Sequence, residues 1–227
     1  IMTDPSFRLD FPACRDRLLE RAAEPAPQRV QLLVGPRQVG KTTLLNAVAE
    51  SLGPVAIYAA VDGPEAALPG FWDRVWNRAD QAASRKGRAV VLLDEVHLLP
   101  NWASRLKGEW DRIRRARLAI NIVATGSSSL RLAAGSRETL AGRFERITLS
   151  HWTAAALAGV FGLSPSQAVD TAVRWGTYPG ALSFRRDPAR RLAYIRDAIA
   201  EPAIGRDLLA LGPIRKPGLL RQVFGVA

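Results

Sequence analysis

Val30-Gln31-Leu32-Leu33-Val34-Gly35-Pro36-Arg37-Gln38-Val39-Gly40-Lys41-Thr42-Thr43 is the run from which the rest of the chain can be read. Its first five residues form a short apolar strand. Its end opens an amphipathic helix that carries Leu44, Leu45 and Val48. Between strand and helix lies Gly35-x4-Gly40-Lys41-Thr42, which matches the phosphate-loop pattern in full and in the right context. Glycines let the backbone wrap closely, so that successive N–H groups point inward, and the following helix adds its positive N-terminal dipole. The expected cradle therefore comprises Gly35, Pro36, Arg37, Gln38, Val39, Gly40, Lys41, Thr42 and Thr43. Lys41 supplies a cation for the β- and γ-phosphates, and the Thr42 hydroxyl is a ligand for Mg²⁺.

The near-continuous apolar strand Ala89-Val90-Val91-Leu92-Leu93 ends in Asp94-Glu95. Two adjacent carboxylates at the end of a buried strand are costly unless a cation is held there. Asp94 is the expected second metal ligand, and Glu95 the expected base that orients and deprotonates an attacking water. A further strand, Ile120-Asn121-Ile122-Val123-Ala124, runs into Thr125-Gly126-Ser127-Ser128-Ser129. Thr125 and Ser127 are both candidates for a side chain that senses the γ-phosphate, and spacing does not choose between them; either could instead cap a helix. No Asn-Lys-x-Asp segment is present to recognise guanine, so ATP, with Mg²⁺, is the expected nucleotide by default.

Outward from these motifs, strands and helices alternate. Asp10 caps a helix over about 11–22, Val55–Tyr58 is a strand, and Phe71, Trp72, Val75 and Trp76 mark a helix. Leu106, Trp110 and Ile113 mark another over about 103–116, and Ile147–Leu149 lies in a fifth strand. This alternation predicts an α/β fold, a P-loop NTPase parallel sheet flanked by helices. Beyond about residue 150 the pattern turns helical, over 152–161, 165–175 and 188–210, as a small all-helical C-terminal subdomain. The expected division is an N-terminal helix at 1–24, a P-loop core at 25–150 and a helical part at 151–227.

The chain has 227 residues, 48% of them hydrophobic and 23% charged, which excludes a disordered or fibrous protein. No apolar run reaches the ~18 residues of a membrane span, and the start has no signal-peptide pattern. Ile1 ahead of Met2 reads as an appended residue. A single cysteine, Cys14, excludes an internal disulfide and reads as a packing residue in a reduced, cytoplasmic protein. The net charge of +11 permits a polyanionic partner, DNA included, without demanding one. The clusters Arg112–Arg117 and Arg185–Arg191 are the places where a phosphate backbone would be tracked, or else solvated helix faces. His97, just after the acid pair, could polarise the site or be a satisfied loop histidine; His151 reads as a helix start and the six tryptophans as core or packing residues.

Gly-Pro-Arg-Gln-Val-Gly-Lys-Thr-Thr at 35–43 and Leu-Asp-Glu-Val-His-Leu-Leu-Pro-Asn-Trp at 93–102 resemble the bacterial and archaeal AAA+-type ATPases that carry a C-terminal domain of unknown function. The resemblance extends through Leu106-Lys107, Thr125–Ser129 and Leu140-Ala141-Gly142-Arg143 to Gly176–Leu182, Tyr194–Asp197 and Gly205–Leu208. It implies an ATPase core of the additional-strand, catalytic-glutamate type at 25–150, followed at 151–227 by a helical lid and the start of a following domain, in a chain cut short of the family's usual length. It also implies a homo-oligomer in which Arg143, with Arg137 the lesser candidate, reaches a neighbour's γ-phosphate. The alternative for Arg143 is one more surface arginine in an arginine-rich chain. On this resemblance the function is Mg²⁺-dependent ATP hydrolysis coupled to movement of the lid, or else a nucleotide-gated module that binds DNA or a protein and turns over little.

Overall fold

The computed structural model describes residues 8–126, 139–208, 218, 219 and 222. Six parallel strands form one sheet: β1 (Arg8–Leu9), β2 (Val30–Val34), β3 (Ala56–Ala60), β4 (Ala89–Asp94), β5 (Ile120–Thr125) and β6 (Phe144–Leu149). Their order is β1-β6-β2-β5-β4-β3. Helices α1 (Phe11–Ala23), α2 (Lys41–Leu52), α3 (Phe71–Lys86) and α4 (Trp102–Ala116) flank it. The P-loop NTPase α/β fold is thus present, with every strand pointing its C-terminal end to the same edge.

Strand residues alternate faces, and each face has its own helices. Val30, Leu32, Val34, Val91, Leu93 and Ile122 pack with Phe71, Val75, Trp76, Leu106, Trp110 and Ile113 of α3 and α4. Leu33, Val90, Leu92, Val123, Ile147 and Leu149 pack with Cys14 and Leu18 of α1 and Leu44, Leu45 and Val48 of α2. The five-residue strand at the loop is buried throughout, as a central strand of a parallel sheet requires. Asp10 caps α1 as expected, its carboxylate accepting from the Ala13 N–H at 3.1 Å.

The last part of the described chain holds α5 (Ala154–Phe161), capped by Thr153, α6 (Pro165–Trp175), capped by Ser164 in a capping box with Gln167, and α7 (Pro188–Tyr194). Trp152, Ala156, Leu157, Ala168 and Leu182 form a separate small core there. The sequence predicts one helix over 188–210. Instead α7 ends at Tyr194 and the chain continues as π-helical turns over Ile195–Ala200 and Ala203–Leu208. Pro202 lies between them; it has no N–H to donate and its ring crowds the preceding turn. Arg191 also departs from the solvated face expected for its cluster, being 2% exposed with its guanidinium 3.2 Å from the centroid of Trp175.

Candidate nucleotide site

The loop between β2 and α2 lies at the C-terminal edge of the sheet, flanked by the ends of β5 and β6. Gly35 opens it so close to β6 that a Cβ there would overlap the Leu149 carbonyl oxygen. Gly40 caps α2 with φ +97°, a conformation open to glycine and strained for other residues. Gln38 takes φ +58° without being glycine, so the loop holds a strained residue at its crown. Lys41 is buried, its Nζ donating to the Gly35 carbonyl at 3.0 Å and the Pro36 carbonyl at 2.6 Å. A cation that is tethered to the loop's own carbonyls stands where an incoming phosphate would compete for it.

Asp94 ends β4, one strand beyond β5, and is 2% exposed. Its Oδ2 accepts from the Tyr58 hydroxyl at 3.0 Å and its Oδ1 from the Glu95 N–H at 3.1 Å. The Thr42 hydroxyl also donates to this carboxylate. Burial pushes the Asp94 carboxyl above its ordinary range, and the bonds from Thr42 and Tyr58 oppose that push without cancelling it. Burial and the neighbouring Asp94 charge push the Tyr58 phenol up, so it stays a donor. The hydroxyl of Thr42 and the carboxylate of Asp94 are hard oxygen donors already within hydrogen-bonding reach. That pairing fits a small divalent cation such as Mg²⁺, which takes few protein ligands and keeps several waters.

Glu95 follows in the left-handed conformation, φ +53°, which turns its side chain away from the strand line. Its Oε2 lies 3.2 Å from Nδ1 of His97, whose side chain is 4% exposed. A cleft of about 190 Å³ is lined by Arg37, Gln38, Gly40, Lys41, Thr42, Thr43 and Glu95. Thr125 ends β5, paired in register with Leu33 of β2, between the loop strand and the Asp94 strand. Its side chain is fully buried, and its Oγ1 has no hydrogen-bond partner among the described residues. Ser127, the other sensor candidate, lies outside the described residues, as does Arg137.

Arg143 sits elsewhere. It precedes β6, its carbonyl accepting from the Val30 N–H at 2.8 Å, so it belongs to the N-terminal edge of the sheet, opposite the loop. Its Nε lies 3.1 Å from Asp111 and its guanidinium 5.5 Å from the centroid of Trp110. Within its own chain it is not brought to the cleft.

Three contacts to the loop have no signature in the local sequence. Trp152 Nε1 donates to the Val39 carbonyl at 2.9 Å, and Tyr194 Oη to Gln38 Oε1 at 3.2 Å. Phe11 stacks on Trp152 with centroids 5.2 Å apart and lies against Gly40. The helical segment and the N-terminal helix thus both rest on the crown of the loop.

The profile of the family described as "AAA domain" matches residues 27–157, more than half of the chain. The chain belongs to the AAA-domain family of P-loop ATPases. The matched part of this AAA domain contains the loop, Asp94, Glu95, Thr125, Arg143 and Trp152, and ends inside α5. Two relatives, the uncharacterized proteins Rv2008c of Mycobacterium tuberculosis and Mb2031c of Mycobacterium bovis, are each 32% identical over 196 residues. The match takes in 86% of this chain but only 39% of either relative, so the chain spans about two-fifths of their length. Among solved structures, a point variant of Thermotoga maritima RuvB superimposes with a TM-score of 0.53 at 20% identity, covering 82% of this chain and 61% of that one. That likeness bears on the fold: the AAA domain has the architecture of AAA+ P-loop ATPases. Among the described residues no helix is long and apolar enough to cross a membrane.

Proposed function

We propose that this AAA domain binds ATP with Mg²⁺ and hydrolyses it. The observation that carries the reading is the link between Thr42 and Asp94, which sets two hard oxygen donors beside a cleft lined by the loop and Glu95. Lys41 exchanges its two carbonyl partners for phosphate oxygens, which frees the loop carbonyls to relax outward. Thr42 and Asp94 hold the metal, which when bound neutralises developing charge on the phosphates. Glu95 accepts the proton of the attacking water, and His97 holds that carboxylate in place. Thr125 offers its hydroxyl to the γ-phosphate or to the water. The helical segment that carries Trp152 and Tyr194 acts as a lid, these two side chains transmitting the state of the loop.

The test is calorimetry with Mg-ATP alongside phosphate release. Lys41→Ala is expected to abolish binding, whereas Glu95→Gln is expected to bind and lose ~10²–10⁴ in rate. Parental turnover by Glu95→Gln would overturn the assignment of the base.

A second reading, a nucleotide-gated module with little turnover, is favoured by the engagement of Arg143 with Asp111 and Trp110 at the far edge of the sheet. A neighbour's γ-phosphate would have to win Arg143 from both. A burst of one phosphate per chain followed by no steady release would select this reading. Sustained release that rises with protein concentration would select hydrolysis completed by assembly.

A further inference from the structure

Many of the chain's arginines are held by acids. Arg15, Arg17, Arg21, Arg29, Arg112, Arg143, Arg174 and Arg196 each lie within salt-bridge distance of a carboxylate. Arg112 in particular joins α3 to α4 through Asp80 at 3.0 Å and Glu109 at 2.6 Å, so it is a strut and not a free cation. Another set of basic residues gathers at the edge of the sheet opposite the nucleotide cleft. There α3 ends and turns into β4 through Arg85, Lys86, Gly87 and Arg88, while α4 ends and turns into β5 through Arg114, Arg115 and Arg117.

β4 and β5 are neighbours, and the Ala89 N–H donates to the Ala119 carbonyl at 2.8 Å, so the two turns lie side by side. All six cations are exposed, neither 84–88 nor 113–119 contains an acid, and among the described residues none of the six has a carboxylate partner. Arginines at a helix C-terminus also answer the helix dipole, but that influence fades within the last turn and does not account for Arg88 and Arg117, which lie beyond it. Arg117 is telling for a second reason. It caps α4 at φ +52°, where α3 uses Gly87 at φ +77°. Glycine takes this conformation freely and other L residues do not, so a guanidinium is kept where the backbone would favour none.

We infer that this paired-turn edge, Arg85, Lys86, Arg88, Arg114, Arg115 and Arg117, is a docking surface for the phosphate backbone of duplex nucleic acid. Exposed cations without carboxylate partners, Arg114 resting on the Trp110 ring at 5.4 Å and Arg115 donating to the Asp111 carbonyl at 3.3 Å among them, release counterions when they meet phosphates, and that release is the main source of sequence-independent affinity. None of the exposed large apolar side chains falls in either turn, so the surface has nothing to insert into a lipid layer. Protein interface cores are depleted of lysine and need buried apolar anchors, which these turns also lack. The surface faces away from the nucleotide cleft, so a duplex held there leaves Lys41 and Glu95 accessible. This inference stands apart from the proposed hydrolysis and is tested without nucleotide.

The experiment measures anisotropy of a short fluorescein-labelled, mixed-sequence DNA duplex against the full chain over a series of salt concentrations. One variant carries Arg114→Ala, Arg115→Ala and Arg117→Gly, the last chosen because glycine suits the cap. A second carries Arg185→Ala, Arg186→Ala and Arg190→Ala, an equal change in charge elsewhere. The first is expected to flatten the log–log salt dependence by about 2–3 and to weaken binding on the order of tenfold at low salt, with the second close to the parent. Equal losses in the two variants, or parental binding that ignores salt, would overturn the inference. So would tighter capture by phosphatidylserine vesicles than by the duplex, which would reassign the surface to a membrane. Circular dichroism of both variants confirms that each loss belongs to a folded chain.

Discussion

Replacing Trp152 by Phe removes the indole N–H and trims a buried ring, which leaves a small void in the core of the helical segment and adds to the loss. The phenyl ring keeps the stack on Phe11 and the contact with Phe161, whose centroids lie 5.2 and 5.3 Å from the indole. What disappears is the 2.9 Å bond to the Val39 carbonyl. Val39 is fully buried, so its carbonyl would be left without an acceptor's due inside the loop. An orphaned buried acceptor destabilises by about 1–3 kcal/mol. In a chain of this size each kcal/mol moves the melting temperature by about 2–4 °C, so a central value of ~2 kcal/mol predicts a fall of ~4–8 °C. Differential scanning fluorimetry reads that shift directly. Because the bond holds the crown of the phosphate loop, Mg-ATP affinity measured by calorimetry should fall as well. Melting and affinity both indistinguishable from the parent would refute the idea that the helical segment braces the loop through this bond.

Other expectations follow from single contacts. Gly35→Ala must push the loop off the Leu149 carbonyl and should destabilise the chain by ~1–3 kcal/mol in urea titrations; an unchanged midpoint would mean that β6 yields freely. Burial, with Asp10 adding to it, pushes the Cys14 thiol up to about 12, so the native protein should resist thiol reagents at neutral pH and react only on unfolding. Because the folded state raises the Asp94 carboxyl above its unfolded value, that group favours folding at low pH, and the contribution is lost as pH rises through the folded value. Asp94→Asn should therefore raise the melting temperature of the metal-free protein at neutral pH and remove the gain given by Mg-ATP. A lower melting temperature would show that the bonds from Thr42 and Tyr58 outweigh the burial.

The parts of the fold and candidate site that were legible are those written in contiguous residues. Val30–Val34 and Ala89–Leu93 are apolar on both faces, so a buried parallel strand is the economical reading, and the loop and Asp94-Glu95 follow directly from them. β6 was visible only as Ile147–Leu149, although it begins at Phe144. Glu145 there is half-buried and Arg146 exposed, and the apolar signal fades. β1 is two residues long and carries no period at all. Tyr58, Trp152 and Tyr194 escaped for another reason: they reach Asp94, Val39 and Gln38 from 36, 113 and 156 residues away. No local spacing encodes such meetings. His97 is the instructive middle case, two residues from Glu95 and readable as a neighbour, yet brought onto it only by the left-handed turn at Glu95.

Those long separations have a consequence for biogenesis. A ribosome delivers the whole glycine-rich motif by residue 43, but the indole that fastens Val39 arrives 113 positions after it and the phenol that meets Gln38 after 156. Chains released early therefore carry an intact motif on an unclasped scaffold. A braced loop comes only after more than a hundred further residues have followed the motif out of the ribosome.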